Sequence, residues 1–110
     1  MNNLLKKKCV PCENKGMKPF GRAEAEDYLT QISDWTLNDK GVKISKEYKF
    51  KDFIGAINFI NLVADIAEME EHHPDIHIRY NKVLLELSTH AISGLSENDF
   101  IVAAKIDARN

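Results

Sequence analysis

At 110 residues, 44% of them hydrophobic, the chain suits one domain that buries its own core without disulfide or metal staples. Fifteen Lys and Arg against 17 Asp and Glu leave a net charge of -2. No overall field therefore draws it to nucleic acid or anionic lipid, and a small ligand is expected instead. No apolar run approaches the roughly 20 residues of a membrane span, and the N-terminus lacks the apolar centre of a secretory signal, which predicts a cytoplasmic protein with no membrane partner.

Residues 1–20 are polar, contain Pro11, Gly16 and Pro19, and show no sustained periodicity. They are expected to form a flexible N-terminal arm ahead of a single domain over residues 21–110. Lys6-Lys7-Lys8 reads as part of that solvated arm. Cys9-Val10-Pro11-Cys12 is a CxxC pair, which suits thiol redox work or half of a zinc site. No second pair completes four thiolates and no βαβ pattern follows, so reduced thiols are expected.

From Ala23 to Ile32, the three- and four-residue spacing of Ala25, Tyr28, Leu29 and Ile32 predicts a short amphipathic helix. Trp35 opens a strand and Asn38-Asp39-Lys40-Gly41 is turn chemistry. Beyond it Val42, Ile44, Tyr48 and Phe50 alternate with Lys43, Ser45, Glu47 and Lys49, a half-buried hairpin. Lys46 interrupts the alternation and is read as an edge-strand feature without a special role.

Asp52 can cap a second helix, whose Phe53, Ala56, Ile57, Ile60, Val63, Ala64 and Ala67 form one apolar stripe. Pro74 stops this helix and biases His73 toward extended geometry, so His72 and His73 should leave the helix end with diverging side chains. Glu70, Glu71 and Asp75 read as solvated acids. Ile76, Ile78 and Tyr80 alternate with His77 and Arg79, Asn81-Lys82 makes a turn, and Val83, Leu85 and Leu87 continue on a second strand that returns His90 toward His72. Ser93 to Ser96 is a loop, Ser96 and Asp99 form a capping box, and a helix runs from Phe100 to Ala108. The order αββαββα, with short hairpin links, predicts an α+β fold: a four-stranded antiparallel sheet with helices packed on one face.

Three imidazoles and two carboxylates then stand out as a proton-transfer inventory. His72, His73 and His90 can share one pocket at the helix-to-strand junction, and Glu68 and Asp99 can orient them, since a carboxylate accepting one ring N–H fixes the tautomer of the other nitrogen. His77 falls on the polar phase of its strand and should face solvent. Metal ligation is the competing use of such residues. Adjacent histidines point apart, however, and the His73–His77 separation crosses Pro74, so no metal is expected. Ser88 and Thr89 precede His90 on a strand and are poorly placed to be activated by it as nucleophiles.

Glu68, His72, His73, Pro74, Tyr80, His90 and Asp99 give the pattern Glu-x3-His-His-Pro-x5-Tyr-x9-His-x8-Asp. On this pattern, with Asn81-Lys82-Val83 and Gly94-Leu95-Ser96, the chain resembles the pterin-4a-carbinolamine dehydratase family from about Glu24 to Asp107. The resemblance implies dehydration of 4a-hydroxytetrahydropterin to quinonoid dihydropterin, the recycling step of a tetrahydrobiopterin-type cofactor after aromatic hydroxylation. It implies His72, His73 and His90 as catalytic residues, and Glu68, Pro74 and Asp99 as binding or orienting ones. It also implies a pterin substrate, no cofactor of the enzyme's own, no nucleic-acid partner, and a homodimer or homotetramer. Some members are dimerisation partners of a transcription factor in animals, so a non-catalytic pterin-binding or regulatory role is the alternative. Ile76 stands where many members carry an aromatic residue, which removes a stacking partner for the pterin.

Overall fold

Two hairpins build the sheet of the computed structural model, which describes residues 3–10 and 18–110. Strand β1 (Thr36–Leu37) and β2 (Ile44–Lys49) form the first, β3 (Asp75–Arg79) and β4 (Lys82–Leu87) the second. The strands lie in the order β1-β2-β4-β3 and every pairing is antiparallel. Helix α1 (Arg22–Leu29) precedes the first hairpin, α2 (Phe53–Glu70) links the two, and α3 (Glu97–Arg109) ends the chain. The expected α+β architecture is the observed one.

Register decides which residues meet the helices. Ile44, Lys46 and Tyr48 of β2 lie opposite Leu87, Leu85 and Val83 of β4, and directly paired residues share a face. Ile44, Val83, Leu85 and Leu87 are completely buried. This inner row packs in one core with Phe59 and Val63 of α2 and Phe100, Ile101 and Val102 of α3. Helix α3 is buried over most of its circumference, from Asn98 to Ala104 and again at Ile106, as befits a helix with neighbours on several sides. Ile76 and Ile78 extend the row into β3, where the sheet ends and each is 37% exposed. On the outer face His77 meets Glu86 at 2.9 Å, and Lys43 reaches the same carboxylate at 3.7 Å.

The local signals hold in several places. Asp52 caps α2, its Oδ1 accepting the Gly55 N–H at 2.8 Å. Ser96 and Asp99 form the capping box of α3. Gly41 takes a left-handed φ of 70° in the first hairpin turn. Gly94 allows a close approach, since a Cβ there would lie 2.6 Å from Pro19 Cβ.

Four readings are corrected. Strand β2 is interior, not an edge, and Lys46 points inward, where Nζ donates to Asp107 Oδ1 (3.1 Å) and the Ser33 carbonyl (3.0 Å). Asp107 also accepts from Tyr48 OH (2.6 Å) and Trp35 Nε1–H (2.8 Å), so Lys46 completes a polar knot beneath α3. The second hairpin turns at Tyr80-Asn81 rather than Asn81-Lys82, with Arg79 opposite Lys82 and Tyr80 left-handed at φ 54°. Glu70 is not a solvated acid, being only 4% exposed. Lastly, residues 3–10 of the N-terminal arm lie against the domain: Asn3–Lys6 forms a 3-10 turn on α3 and Leu4 is 1% exposed in the core. Cys12 lies outside the described residues, so only Cys9 of the CxxC pair can be placed. It carries a free, half-buried thiol. No described helix is long and apolar enough to cross a membrane.

Candidate active site

The end of α2 delivers the paired histidines. Glu71 adopts the left-handed conformation (φ 54°, ψ 38°) and the His72 N–H returns to the Ala67 carbonyl at 3.1 Å, a Schellman-type stop. Pro74 then commits the chain to β3. The two rings diverge as expected, His72 inward with 6% side-chain exposure and His73 outward with 58%.

Each ring meets a carboxylate. His72 Nε2 lies 2.6 Å from Asp99 Oδ1, and His73 Nε2 lies 2.6 Å from Glu68 Oε2. Asp99 is fully buried, and its other oxygen, Oδ2, accepts from Thr89 Oγ1 (2.8 Å) and the Ser96 N–H (3.0 Å). With both oxygens used as acceptors, the ionised carboxylate requires His72 to donate through Nε2–H, which sets the tautomer. Thr89 in turn meets Ser96 Oγ at 2.8 Å. The helix cap that starts α3 is thus also the orienting device for a histidine from another helix.

His90 opens a 3-10 turn, His90–Ile92, closed at its base by the Thr89–Gly94 bridge. Its ring is exposed and makes no hydrogen bond among the described residues. It lines an open cleft of about 280 Å³ with Val42, Lys43, Ser88, Thr89, Ser93 and Gly94. The pairing of Asp75 with Glu86 brings the start of β3 and the end of β4 to one end of the sheet. Thr89, next to His90, is bonded to the carboxylate that holds His72. The structure therefore joins His72 to Asp99 and His73 to Glu68, and puts His90 one residue from that network. Pro74 is half-buried at the junction. Among the described residues no group of three His, Cys, Asp or Glu side chains is arranged to hold a metal ion.

Sequence reasoning passed over Asn98 and gave Thr89, Ser96 and Glu70 no part in orienting a histidine, yet all four are buried polar residues. For Glu70 the signal existed: it continues the buried positions Val63, Ile66 and Ala67 at helical spacing. Its Oε1 accepts the Cys9 N–H (3.0 Å) and its Oε2 the Lys105 ammonium (2.6 Å). Burial, the largest influence, pushes the Glu70 carboxyl up, but the Lys105 and Cys9 donors outweigh it and leave it below its ordinary value.

The family model described as pterin 4 alpha carbinolamine dehydratase matches residues 18–109. The chain belongs to that family. A Halorhodospira halophila protein provisionally named pterin-4-alpha-carbinolamine dehydratase is 45% identical over 106 residues, covering 96% of each chain. The Arabidopsis thaliana mitochondrial pterin-4-alpha-carbinolamine dehydratase 2 is 45% identical over 108 residues, which span 96% of this chain and 58% of that longer one. Among solved structures, the Brucella melitensis protein titled a transcriptional coactivator/pterin dehydratase superposes with a TM-score of 0.78 at 33% identity, over 83% of this chain and 97% of that one.

Proposed function

We propose that the protein dehydrates a 4a-hydroxytetrahydropterin to the quinonoid dihydropterin, as the 4a-hydroxytetrahydrobiopterin dehydratase step of tetrahydrobiopterin-type recycling. The observation that carries the reading is the buried His72–Asp99 pair, at 2.6 Å, in a member of this family, with His73 next to His72 in sequence and His90 next to Thr89, which bonds the same carboxylate.

In the reaction the C4a–O bond breaks, N5 loses its proton and the C4a–N5 double bond forms. An acid gives the departing hydroxyl a proton, so the products are water and the quinonoid dihydropterin. His72 and His90 are assigned the two proton transfers. Asp99, 2.6 Å from His72 Nε2, orients that ring for its transfer. His73, which meets Glu68 at 2.6 Å on the surface, is assigned to holding the pterin or the leaving hydroxyl, and Pro74 directs the chain from the histidines into the strand. Positioned acids and bases of this kind contribute about 10²–10⁴-fold each, enough for a dehydration without a cofactor.

The proposal keeps the cytoplasmic location and the homodimer or homotetramer expected from the sequence. The second is supported by β3, an edge strand whose Ile76 and Ile78 are 37% exposed and whose following Tyr80 is 67% exposed. Light scattering on an eluting size-exclusion peak tests it, a monomer mass counting against it. The reaction itself is tested by following the ultraviolet absorbance of freshly generated carbinolamine. Decay faster than the spontaneous rate on adding protein is expected, and an unchanged decay would favour the regulatory, non-catalytic alternative.

A further inference from the structure

Residues 9 and 10 are gripped by two side chains that adjoin the acid–base pair in sequence. Glu70 ends α2 two residues before His72, and its Oε1 accepts the Cys9 N–H at 3.0 Å. Asn98 immediately precedes Asp99 in the first turn of α3; its Oδ1 accepts the Val10 N–H (3.0 Å) and its Nδ2 donates to the Val10 carbonyl (2.8 Å). Glu70 and Asn98 are 4% and 2% exposed, so both would be costly to leave unsatisfied. Upstream, Leu4 is buried in the core and Lys7 pairs with Glu97 Oε2 at 2.6 Å, an oxygen that Tyr28 OH also reaches at 2.9 Å. The segment thus crosses the seam between the last turn of α2 and the first turn of α3.

Those two helix ends supply His72 and Asp99. The Schellman-type stop ties His72 to α2, and the capping box ties Asp99 to α3. Each device fixes a residue to its own helix. Residues 9 and 10 instead bond one helix end to the other, because consecutive backbone N–H groups go to Glu70 and to Asn98. The Lys105–Glu70 pair adds a second link between α2 and α3. From this arrangement we infer that residues 4–10 are a positioning strap for the His72–Asp99 pair, with Glu70 and Asn98 as its positioning residues. The inference rests on the acid–base reading of His72 given above.

The Cys9 thiol is suited to packing rather than chemistry. Burial first, and the adjacent Glu70 carboxylate second, push it up to about 12, and it points at the Asn98 carbonyl at 3.7 Å. A strap that loosened would let the 2.6 Å contact open, and displacement of a catalytic group by about 1 Å costs on the order of 10²-fold in rate.

The test uses the full chain and reads the His72 ring directly. In Asn98→Ala both Val10 bonds are lost, and solvent exchange of the His72 Nε2–H, followed by nitrogen-edited NMR without substrate, should quicken at least about tenfold, with kcat falling about as much and KM changing little. Val10→Pro, which removes one strap donor and leaves every domain residue in place, should act in the same direction and serves if Asn98→Ala does not fold. Trp35→Phe, which loses its bond to Asp107 near the far end of α3, supplies a comparably weakened protein whose ring exchange should match wild type. Wild-type ring exchange in folded Asn98→Ala or Val10→Pro overturns the strap. Quickened exchange in a protein that never accelerates carbinolamine loss would keep the strap and sink the proposed reaction instead.

Discussion

His72 Nε2 and Asp99 Oδ1 lie 2.6 Å apart across the seam between α2 and α3, with side-chain exposures of 6% and 0%. A buried carboxylate that accepts from an imidazole, a threonine hydroxyl and a backbone N–H has no spare role for a donor. Asp99→Asn keeps the volume but turns one acceptor into an N–H₂ that faces donors. The expected result is a loss of about 10²-fold in kcat and of about 1–3 kcal/mol in stability, read from carbinolamine decay and urea unfolding of the same preparation.

The exposed histidines should separate by position rather than by residue type. His90→Ala should lower kcat by about 10²–10⁴-fold. His77 sits on the outer face of the sheet, 2.9 Å from Glu86 with 56% side-chain exposure. His77→Ala should leave turnover unchanged and shift stability by no more than about 0.5 kcal/mol. Parallel kinetics and thermal melts of the two variants check both statements.

Asp107 should matter to stability far more than its place near the C-terminus suggests. It takes bonds from Trp35, Tyr48 and Lys46, and its loss would leave three donors without that acceptor. Asp107→Ala is expected to cost about 2–3 kcal/mol, measured by the shift in urea midpoint. Burial and the Asp107 carboxylate push the Tyr48 phenol far above its ordinary range, so its ultraviolet signal should resist alkaline ionisation while the protein stays folded.

Glu71 holds a left-handed conformation, φ 54°, at the stop before His72. An L-residue pays about 1–2 kcal/mol there, and glycine gives part of that back in unfolded-chain freedom. Glu71→Gly should therefore stabilise by about 0.5–1 kcal/mol, raising Tm by a few degrees in a calorimetric scan.

Glu70 links the fold to acid. Its carboxyl sits below its ordinary 4.5 in the folded protein, because Lys105 and the Cys9 N–H together outweigh the effect of burial. Its contribution is thus present above pH 4.5, the unfolded value, and lost as pH falls through the lower folded one. Glu70→Gln should cost stability at pH 7 and lose less of what remains between pH 5 and 3, as unfolding curves at both ends of that window would show.

Periodicity and punctuation carried most of the fold. The alternation around Ile44 and Leu85, the Asp52 cap, the Ser96–Asp99 box and the Pro74 stop are all local signals, and each reappears in the structure. What remained hidden depends on partners distant in sequence. Lys46 looked like a break because its acceptor, Asp107, lies 61 residues away. Residues 3–10 looked like free arm because the groups that hold them, Glu70 and Asn98, are likewise about a domain's length downstream. In the site, the histidines and their carboxylates were legible from residue type and spacing. The Thr89 bond was not, because nothing in a threonine reveals that its hydroxyl meets a buried carboxylate ten residues on.

The most direct test of the acid–base account is the rate of 4a-carbinolamine loss with wild-type protein beside folded His72→Ala and His90→Ala. The account predicts acceleration by wild type and a fall of about 10²-fold or more in each variant. Acceleration by wild type that survives both substitutions would contradict it, because the proton transfers would then belong to other groups.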